Sequence, residues 1–483
     1  MNIHLDHIGI IQDSDIQVNG LTVITGKNSS GKTTVGKLLY AIVRASAEMD
    51  KMILNSMYDY VQSQVEDVLS SFGMSLLKSS RFFGVLSDAE MTSEWKELSN
   101  LFWSVRHRDS SVDLEGYVNK MLNFIESLSL EDIDKILNHN FSSPSRNLSL
   151  FNLESENTDI KEDHLLNLKN RQLDKLKNVL NTIRDPDVIS KLSPQQMKMA
   201  INDIFANQVL PVKDPSTTGS IRISNDETTL LDIQIYDEND YAFRDLKELK
   251  HLYSQAIFID NPFVLDKNYV SLGAKANSFT DVDTSSSTHL SDSDTHLAHL
   301  LRSRKSENIF DLQDLRNSTQ SVIEKINEIV PGEFIVTRDG NFYLNDGAKL
   351  KVANLAAGSK QFSIIKTLLM NGHLTSKTLL ILDEPESHLH PKWINSFAEI
   401  LVLLICELRL HVLLTTHSPN LLLALDYYSK KYPIRKNAHF YLAIQEDDGF
   451  SHINNIDNNI SDAYTHLAEP FVWMSMLNDA IEE

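Results

Sequence analysis

A short segment with two glycines near the start of the chain places the tightest constraint on its fold. Residues 26–34 read GKNSSGKTT, with four residues between Gly26 and Gly31. The preceding segment, 21–25, is apolar and β-branched, which predicts a buried strand, and 35–49 has the pattern of a helix. A strand, a glycine-containing turn and a helix in this order form a loop whose backbone N–H groups face phosphate oxygens. The sequence therefore predicts an α/β fold with a phosphate-binding loop.

The side chains of this loop are suited to a nucleoside triphosphate with its metal ion. Lys32 is expected to reach the β- and γ-phosphates, and the Thr33 hydroxyl is expected to bind Mg²⁺. ATP and Mg²⁺ are the predicted cofactors. The predicted nucleotide-binding residues of the loop are Gly26, Lys27, Asn28, Ser29, Ser30, Gly31, Lys32, Thr33 and Thr34.

A second segment ends in two carboxylates. Residues 378–384 read TLLILDE, which predicts a buried parallel strand ending at Asp383. Ligands bind at the carboxyl edge of open α/β sheets, so Asp383 is predicted to join Thr33 at the metal and Glu384 to act as general base. The alternative is that the acidic pair caps a following helix. The phosphate-binding loop upstream favours the catalytic interpretation.

Two more segments complete the candidate site. HVLLTTHSPN at 411–420 predicts a buried strand that ends at His417, an imidazole placed to hydrogen-bond the γ-phosphate, with helix capping as the alternative. Within 354–372, Gly358 and Ser359 open an amphipathic helix, whose N-terminus is a second anion-binding position. Glu384 and His417 are thus the predicted catalytic residues.

The order of these motifs resembles the ABC-type ATPase head, in the branch that includes SMC, RecF and OLD-like proteins. LAAGSKQ resembles the signature motif, with Gly358, Ser359 and Gln361 in the expected places, but Ala356 stands where the family usually has serine. LILDEPESHLHPKW and TTHSP resemble the acidic and switch-histidine segments of OLD-like and anti-phage ATPases. The resemblance implies a composite site: the partner subunit supplies the signature residues, and ATP bridges a homodimer.

The resemblance and the helical periodicity indicate how the chain divides into an ATPase head, a helical insertion and a linker region. An ABC-type head with a mixed sheet is predicted for 1–45, 220–260 and 333–483, with a hairpin and a buried strand inside the second of these segments. Residues 46–219 are predicted to form a helical insertion, and 266–332 a polar linker followed by helices. Residues 34 to about 80 have the pattern of one long helix or a broken pair, and 94–107, 114–128 and 164–183 also have helical periodicity. The insertion lacks sustained heptads, which indicates a compact arm and not a long coiled coil.

Several local features have two interpretations. Acidic and histidine residues between 281 and 299 suggest either a metal site or a solvated linker followed by a capped helix, and composition favours the linker. The basic clusters at 300–306 and 429–436 are suited to a phosphate backbone or to a solvated helix surface. His388 and His390 are interpreted as interface residues.

Charge and composition narrow the function. The net charge is −21, so any nucleic-acid contact must come from a local patch. A single cysteine, Cys406, excludes an internal disulfide and fits a reducing cytoplasm. The sequence shows no signal peptide and no uncharged apolar stretch of about 18 residues, so a cytoplasmic location without a membrane contact is predicted.

The resemblance also suggests a biological role. OLD-family nucleases carry a second catalytic domain after the switch histidine, whereas 66 residues follow His417 here, so no nuclease domain is predicted in this chain. The expected function is an ATPase subunit of an anti-phage complex that regulates a separate nuclease. The resemblance is to the Septu ATPase family, which implies an HNH nuclease partner and, in retron systems, a reverse transcriptase with its RNA–DNA. The alternatives are a PARIS-type sensor with a TOPRIM nuclease, a RecF-like ATPase that binds DNA directly, and a protein that binds ATP with little turnover.

Overall fold

A computed structural model of the chain describes most of its residues. The described residues are 1–74, 89–108, 112–141, 158–212, 217–247, 249–266, 292–305, 309–337 and 340–468. Within these ranges the chain forms two compact units. Of the described residues, those within Met49–Ser193 form unit 2, and all others form unit 1.

The described residues form strands that all lie in unit 1 and helices that are divided between the two units. The strands are β1 (Asn2–Asp6), β2 (Ser14–Gln17), β3 (Leu21–Gly26), β4 (Gly219–Asn225), β5 (Thr228–Ile235), β6 (Tyr241–Leu246), β7 (Gln255–Ile259), β8 (Glu333–Thr337), β9 (Gly340–Asn345), β10 (Ala348–Lys351), β11 (Thr378–Asp383), β12 (His411–Thr416), β13 (Ala438–Gln445) and β14 (Ser451–Asn455). The helices are α1 (Lys32–Ser71), α2 (Ala89–Arg106), α3 (Leu114–Ser127), α4 (Leu130–Phe141), α5 (Thr158–Arg184), α6 (Val188–Ile204), α7 (Asp292–Arg302), α8 (Ile309–Ile329), α9 (Ala357–Met370), α10 (Pro391–Leu408) and α11 (Pro419–Lys431).

A six-stranded mixed sheet is the centre of unit 1. Its strand order is β14-β13-β3-β12-β11-β7, and all neighbours pair in parallel except β13 and β14. Every residue of β3 is buried, as expected for a parallel strand covered on both faces. A five-stranded antiparallel sheet (β2-β1-β4-β5-β6) and a three-stranded sheet (β10-β9-β8) complete the unit.

The register of the central sheet brings the ends of three strands together. Asp383 of β11 pairs with Thr415 of β12, and Thr415 pairs with Ile24 of β3. Because these strands are parallel, their carboxyl ends meet at one edge. The sequence motifs that follow β3, β11 and β12 therefore lie side by side.

Apolar packing explains why α9 and α10 cover this sheet. Leu380 and Leu382 on β11 belong to the same buried cluster as Phe362 on α9 and Phe397 on α10. The Phe362 and Phe397 rings meet edge to face, 5.5 Å between centroids, a favourable aromatic geometry. This packing fixes the position of α9, the helix that begins in the signature-like segment.

Unit 2 has a core of its own. Helices α2 to α5 and the part of α1 from Met49 onward bury an apolar cluster that includes Trp95, Phe102, Phe124 and Leu176. Of the two alternatives for residues 34 to about 80, the structure has one long helix, α1, which ends at Ser71, and the periodicity at 94–107, 114–128 and 164–183 corresponds to α2, α3 and α5. Helical periodicity thus predicted these elements correctly.

The strands expected near residues 220–260 are present in unit 1. The hairpin expected at 220–237 is β4 and β5, and the buried strand expected at 256–260 is β7. Asp281, Asp283 and His289 of the proposed linker lie outside the described residues. Within the described ranges, no helix has the length and apolar character that a membrane span requires.

Candidate functional site

The loop between β3 and α1 has the backbone that its two glycines allow. Gly26 has a φ of +151° and Gly31 a φ of +85°, a region that disfavours side chains. A Cβ atom at Gly26 would lie 2.5 Å from the Ala443 carbonyl oxygen, and one at Gly31 would lie 2.9 Å from Ile11 Cγ1. Both positions therefore require glycine, and the loop folds tightly over the start of α1.

Lys32 lies at the first position of α1 and is almost completely buried. Its ammonium group donates to the carbonyl oxygens of Gly26 at 3.1 Å and Lys27 at 2.8 Å, and it lies 3.6 Å from Glu384 Oε1. Burial lowers the pKa of Lys32, and the nearby Glu384 and Asp383 carboxylates partly offset this effect. The ammonium is therefore held inside the loop, facing the acidic strand end.

Thr33 and Asp383 are in direct contact although 350 residues separate them in sequence. The Thr33 hydroxyl lies 2.9 Å from both Asp383 carboxylate oxygens. Thr415, fully buried on β12, donates its hydroxyl to Asp383 Oδ1 at 2.5 Å. A hydroxyl beside a carboxylate at the edge of the sheet is the oxygen-rich pair that Mg²⁺ prefers.

Glu384 is held in an unusual backbone conformation. Its φ is +47°, left-handed for a residue with a side chain, and its N–H donates to the Thr415 carbonyl and hydroxyl oxygens, each at 3.1 Å. Its carboxylate lies between Lys32 and His417, with 3.2 Å from Glu384 Oε2 to His417 Nδ1. The turn thus directs this carboxylate to the side of the loop where the sequence predicts a general base.

Glu386, which the sequence interpretation did not single out, lies beside the same histidine. It accepts a hydrogen bond from the Thr416 hydroxyl at 2.6 Å and one from the His417 N–H at 3.1 Å. Thr415 and Glu386 are therefore the two functional candidates that were missed. A carboxylate three residues after Asp383 in DEPE was a visible signal, whereas nothing local distinguishes Thr415 from other strand threonines.

The signature-like segment forms the first turn of α9. Gly358 is closely packed, since a Cβ there would lie 3.0 Å from the Trp393 ring and 3.1 Å from the His388 carbonyl oxygen. Ser359 is half-buried, whereas Gln361 is only 3% exposed. Gln361 would have to move to touch a nucleotide directly, so the sequence-based assignment of that contact remains a prediction.

Lys360, the remaining polar residue of LAAGSKQ, has a structural partner. It is 1% exposed, lies 2.7 Å from the Asp266 carboxylate, and has its ammonium 4.7 Å from the centre of the Phe263 ring. A buried ammonium needs such a partner because desolvation of an isolated charge is costly. This ion pair ties α9 to the turn that follows β7.

Other residues noted in the sequence are placed away from this edge or have structural contacts. His390 caps α10, with its ring Nδ1 accepting from the Lys392 N–H at 3.2 Å, and the His388 ring meets Phe263 edge to face. Lys430 and Lys431 of the second basic cluster pair with Asp426 and Glu399. These two lysines are already neutralised by carboxylates of the chain.

Within the described ranges, no group of three or more His, Cys, Asp or Glu side chains is arranged to hold a metal ion. The region 281–291, which contains part of the alternative metal cluster, lies outside those ranges. His296, a member of that cluster, is buried with its ring Nδ1 3.1 Å from the Tyr40 hydroxyl. Burial lowers the pKa of His296 well below its usual value, so this imidazole is neutral at pH 7.

The residues present fit a nucleotide with Mg²⁺. The Ser30 hydroxyl in the loop is buried without a hydrogen-bond partner in the described part of the chain, which suits an acceptor ligand. The Thr33 hydroxyl and the Asp383 carboxylate would hold Mg²⁺, which when bound would neutralise phosphate charge. Lys32 and the loop N–H groups would hold the phosphates.

The mixed sheet, with a phosphate-binding loop, an acidic strand end and a histidine strand end at one edge, has the mixed α/β fold of an ABC-type ATPase head, as the sequence predicted. The chain belongs to the AAA ATPase domain family (AAA_15), whose profile matches residues 7–422. No curated protein matches the chain.

Solved structures of SMC heads are similar to the chain at low identity. An SMC head bound to the C-winged helix domain of ScpA is 8% identical with a TM-score of 0.38, covering 94% of this chain and 96% of that one. The SMC head domain from Thermotoga maritima is 10% identical with a TM-score of 0.34, covering 94% and 97%. The Smc head from Pyrococcus furiosus, with an extended coiled coil and the C-terminal domain of ScpA, is 10% identical with a TM-score of 0.31, covering 97% and 98%. At these values the similarity says nothing of substrate or partner.

Proposed function

We propose that the chain binds ATP with Mg²⁺ and hydrolyses it at the edge formed by β3, β11 and β12. The observation that carries this proposal is the contact of the Thr33 hydroxyl with both Asp383 oxygens at 2.9 Å, which joins the phosphate-binding loop to the acidic strand end. A nucleotide-binding loop without this partner would bind phosphate but would lack the carboxylate for the metal.

Each side chain has a role that its position supports. Lys32 binds the phosphates, and Thr33 with Asp383 holds the metal ion. Glu384 takes the proton of the attacking water as general base, because its carboxylate faces the loop. His417, beside Glu384, is exposed enough at 42% to reach the γ-phosphate.

Steady-state ATPase measurements on purified protein test these roles. Lys32→Ala is expected to abolish nucleotide binding, and Glu384→Gln is expected to retain binding but lose turnover by about 100-fold or more. Lys377→Ala, an exposed lysine before β11, is the matched control and should behave as the wild type. Full turnover by Glu384→Gln would show that another group acts as the base.

The same proposal includes an ATP-bridged homodimer in which Gly358 and Ser359 of one subunit contact the nucleotide of the other. The support is the position of Ser359 in the first turn of α9, because the first N–H groups of a helix have no acceptor within the helix and can bind an anion. Lys32→Ala and Ser359→Arg proteins should each be inactive alone and regain activity when mixed, because a mixed dimer contains one intact site. Activity of Ser359→Arg protein alone would indicate that each subunit hydrolyses ATP without its partner, and an inactive mixture would contradict the composite site.

At the biological level, we propose an anti-phage complex in which this ATPase regulates a separate nuclease, of the HNH type in Septu or retron systems. The support is the resemblance of LILDEPESHLHPKW and TTHSP to anti-phage ATPases. A pull-down of tagged Glu384→Gln protein from its host, with mass spectrometry and nucleic-acid sequencing, tests it. An HNH nuclease, or a reverse transcriptase with its RNA–DNA, would support the proposal, and a TOPRIM nuclease would indicate a PARIS-type system.

Direct DNA binding of the RecF type is less well supported. The net charge of −21 opposes it, and Lys430 and Lys431 are engaged in ion pairs. A homodimer that recovers bulk DNA and binds it in a salt-dependent manner would refute the nuclease-regulating role. The predicted cytoplasmic location remains part of the proposal.

A further inference from the structure

Glu386 is a buried carboxylate close to the proposed catalytic residues. It lies in the 3₁₀ turn Pro385–His388 that follows Glu384, and its side chain is 4% exposed. A buried carboxylate is costly unless hydrogen bonds compensate the loss of water. Its contacts therefore indicate what the residue is retained to do.

These contacts converge on the turn that carries His417. Glu386 Oε1 accepts from the Thr416 hydroxyl at 2.6 Å and from the His417 N–H at 3.1 Å, and it lies 3.6 Å from His417 Nδ1. The Thr416 hydroxyl also accepts from the Ser418 N–H at 3.0 Å. Through these bonds Glu386 fixes the chain on both sides of His417.

The second carboxylate oxygen has no such partner. Glu386 Oε2 is buried without a hydrogen bond from the described residues. Burial raises the pKa of Glu386, and the hydrogen bonds from Thr416 and His417 partly offset this effect. Because hydrogen bonds compensate only part of the desolvation of this carboxylate, we expect its role to be the geometry that it imposes on the neighbouring turn.

The His417 ring needs such an anchor. The ring is 42% exposed, and its Nδ1 lies 3.2 Å from the Glu384 carboxylate and 3.6 Å from that of Glu386. A shift of the turn would move the imidazole away from both Glu384 and the loop. Displacements of about 1 Å in a catalytic arrangement can cost about 100-fold in rate.

We propose that Glu386 is a positioning residue for ATP hydrolysis, which clamps the turn Thr416–Ser418 and thereby holds His417 against Glu384. The inference rests on the proposed function, because it assigns the residue to that reaction. Glu386 acts through His417 and makes no contact with the nucleotide itself.

Substitutions at Glu386 should form a graded series in kcat. Glu386→Ala removes the acceptor and should lower kcat by up to about 100-fold, with little change in the affinity for a fluorescent ATP analogue. Glu386→Gln retains an oxygen acceptor but loses its charge, and charge-assisted hydrogen bonds are roughly twice as strong as neutral ones. Glu386→Gln should therefore raise the activation free energy by about half as much as Glu386→Ala does, which corresponds to a loss of about tenfold in kcat.

A double substitution separates positioning from general stability. In a His417→Ala background, Glu386→Ala should cause no further loss of kcat, because the residue through which it acts is gone. If the two losses multiply, or if Glu386→Gln falls as low as Glu386→Ala, the proposal is wrong. A wild-type kcat for Glu386→Ala would also refute it.

Two further measurements keep the outcome clear. If Glu386→Ala does not fold, Thr416→Val removes only the bridging hydroxyl, and it should lower kcat by about tenfold without an additional effect in the His417→Ala background. Absence of ATPase activity in the wild type would refute the proposed function and this inference together. An active wild type with an unaffected Thr416→Val and Glu386→Ala would refute this inference alone.

Discussion

Replacement of Thr415 by valine should reveal how strongly the sheet edge is organised around Asp383. Thr415 is fully buried, and its hydroxyl donates to the Asp383 carboxylate at 2.5 Å. Hydrogen bonds to charged groups contribute about 1.5–3 kcal/mol each. The Thr415 hydroxyl also accepts from the Glu384 N–H at 3.1 Å, but that N–H keeps the Thr415 carbonyl oxygen as an acceptor at 3.1 Å, so most of the loss comes from the Asp383 contact.

The neighbouring strand offers a matched control. Thr25 on β3 is also fully buried, and its hydroxyl has no hydrogen-bond partner in the described part of the chain. Thr25→Val removes a hydroxyl of the same size from the same sheet without breaking a bond. The free energy of unfolding of the Thr25→Val protein should therefore equal that of the wild type or be slightly higher.

Thermal unfolding, followed by circular dichroism, compares the two variants. A loss of about 1.5–3 kcal/mol at roughly 2 °C per kcal/mol predicts that Thr415→Val melts about 3–6 °C below Thr25→Val. Thr415→Val should also lower kcat, because Asp383 and Glu384 lose a common support. Equal melting temperatures for the two variants would refute the stated role of the Thr415 hydroxyl.

Substitutions at Gly31, Asp266 and Glu399 should have effects that the contacts of these residues explain. Gly31→Ala should weaken ATP binding by more than about tenfold, because φ is +85° and the new Cβ would crowd the loop. Gly347→Ala, with a φ of +80° and open space around it, should cost about 1 kcal/mol of stability and leave binding unchanged. Equal binding losses for the two variants, measured by titration with an ATP analogue, would contradict this prediction. Asp266→Asn should lower the free energy of unfolding by about 3–5 kcal/mol, because it leaves the buried Lys360 ammonium without its carboxylate. Lys360→Met should lower it by less, and the reverse order in thermal unfolding would be inconsistent with the burial of Lys360. Burial raises the pKa of Glu399, but hydrogen bonds from two lysines and a tyrosine outweigh this effect and lower the pKa from 4.5 to about 2. The contribution of Glu399 to stability is therefore present above about pH 4.5 and is lost as the pH falls toward 2. Glu399→Gln should melt below the wild type at pH 7 by a margin that narrows below pH 4.5, and a margin that stays constant with pH would exclude this linkage.

Local sequence predicted much of the sheet edge. The two glycines, Lys32 and Thr33 indicated a phosphate-binding loop because each residue type is required by backbone geometry or charge at that spacing. The apolar run that ends at Asp383 indicated a parallel strand with a carboxylate at its end. Periodicity likewise located α1, α2, α3 and α5.

The tertiary structure was needed for the residues that act through their neighbours. Gln361 looked available in LAAGSKQ, but packing buries its side chain. Lys360 in the same segment proved to pair with Asp266, 94 residues earlier in the chain. Such pairings depend on which helix packs on which turn, and no local pattern encodes that.

The sequence by itself determined which residue types the proposed chemistry uses: a glycine-containing loop suited to phosphate, a hydroxyl and a carboxylate suited to a metal ion, and a glutamate and a histidine at two strand ends. Only the tertiary structure decided that Thr415 supports Asp383 and that Glu386 clamps the turn of His417. The physical reason is that residue types and short spacings specify what a side chain can bond, whereas strand register specifies what it meets. The register of β3, β11 and β12 joins residues separated by hundreds of positions in the chain.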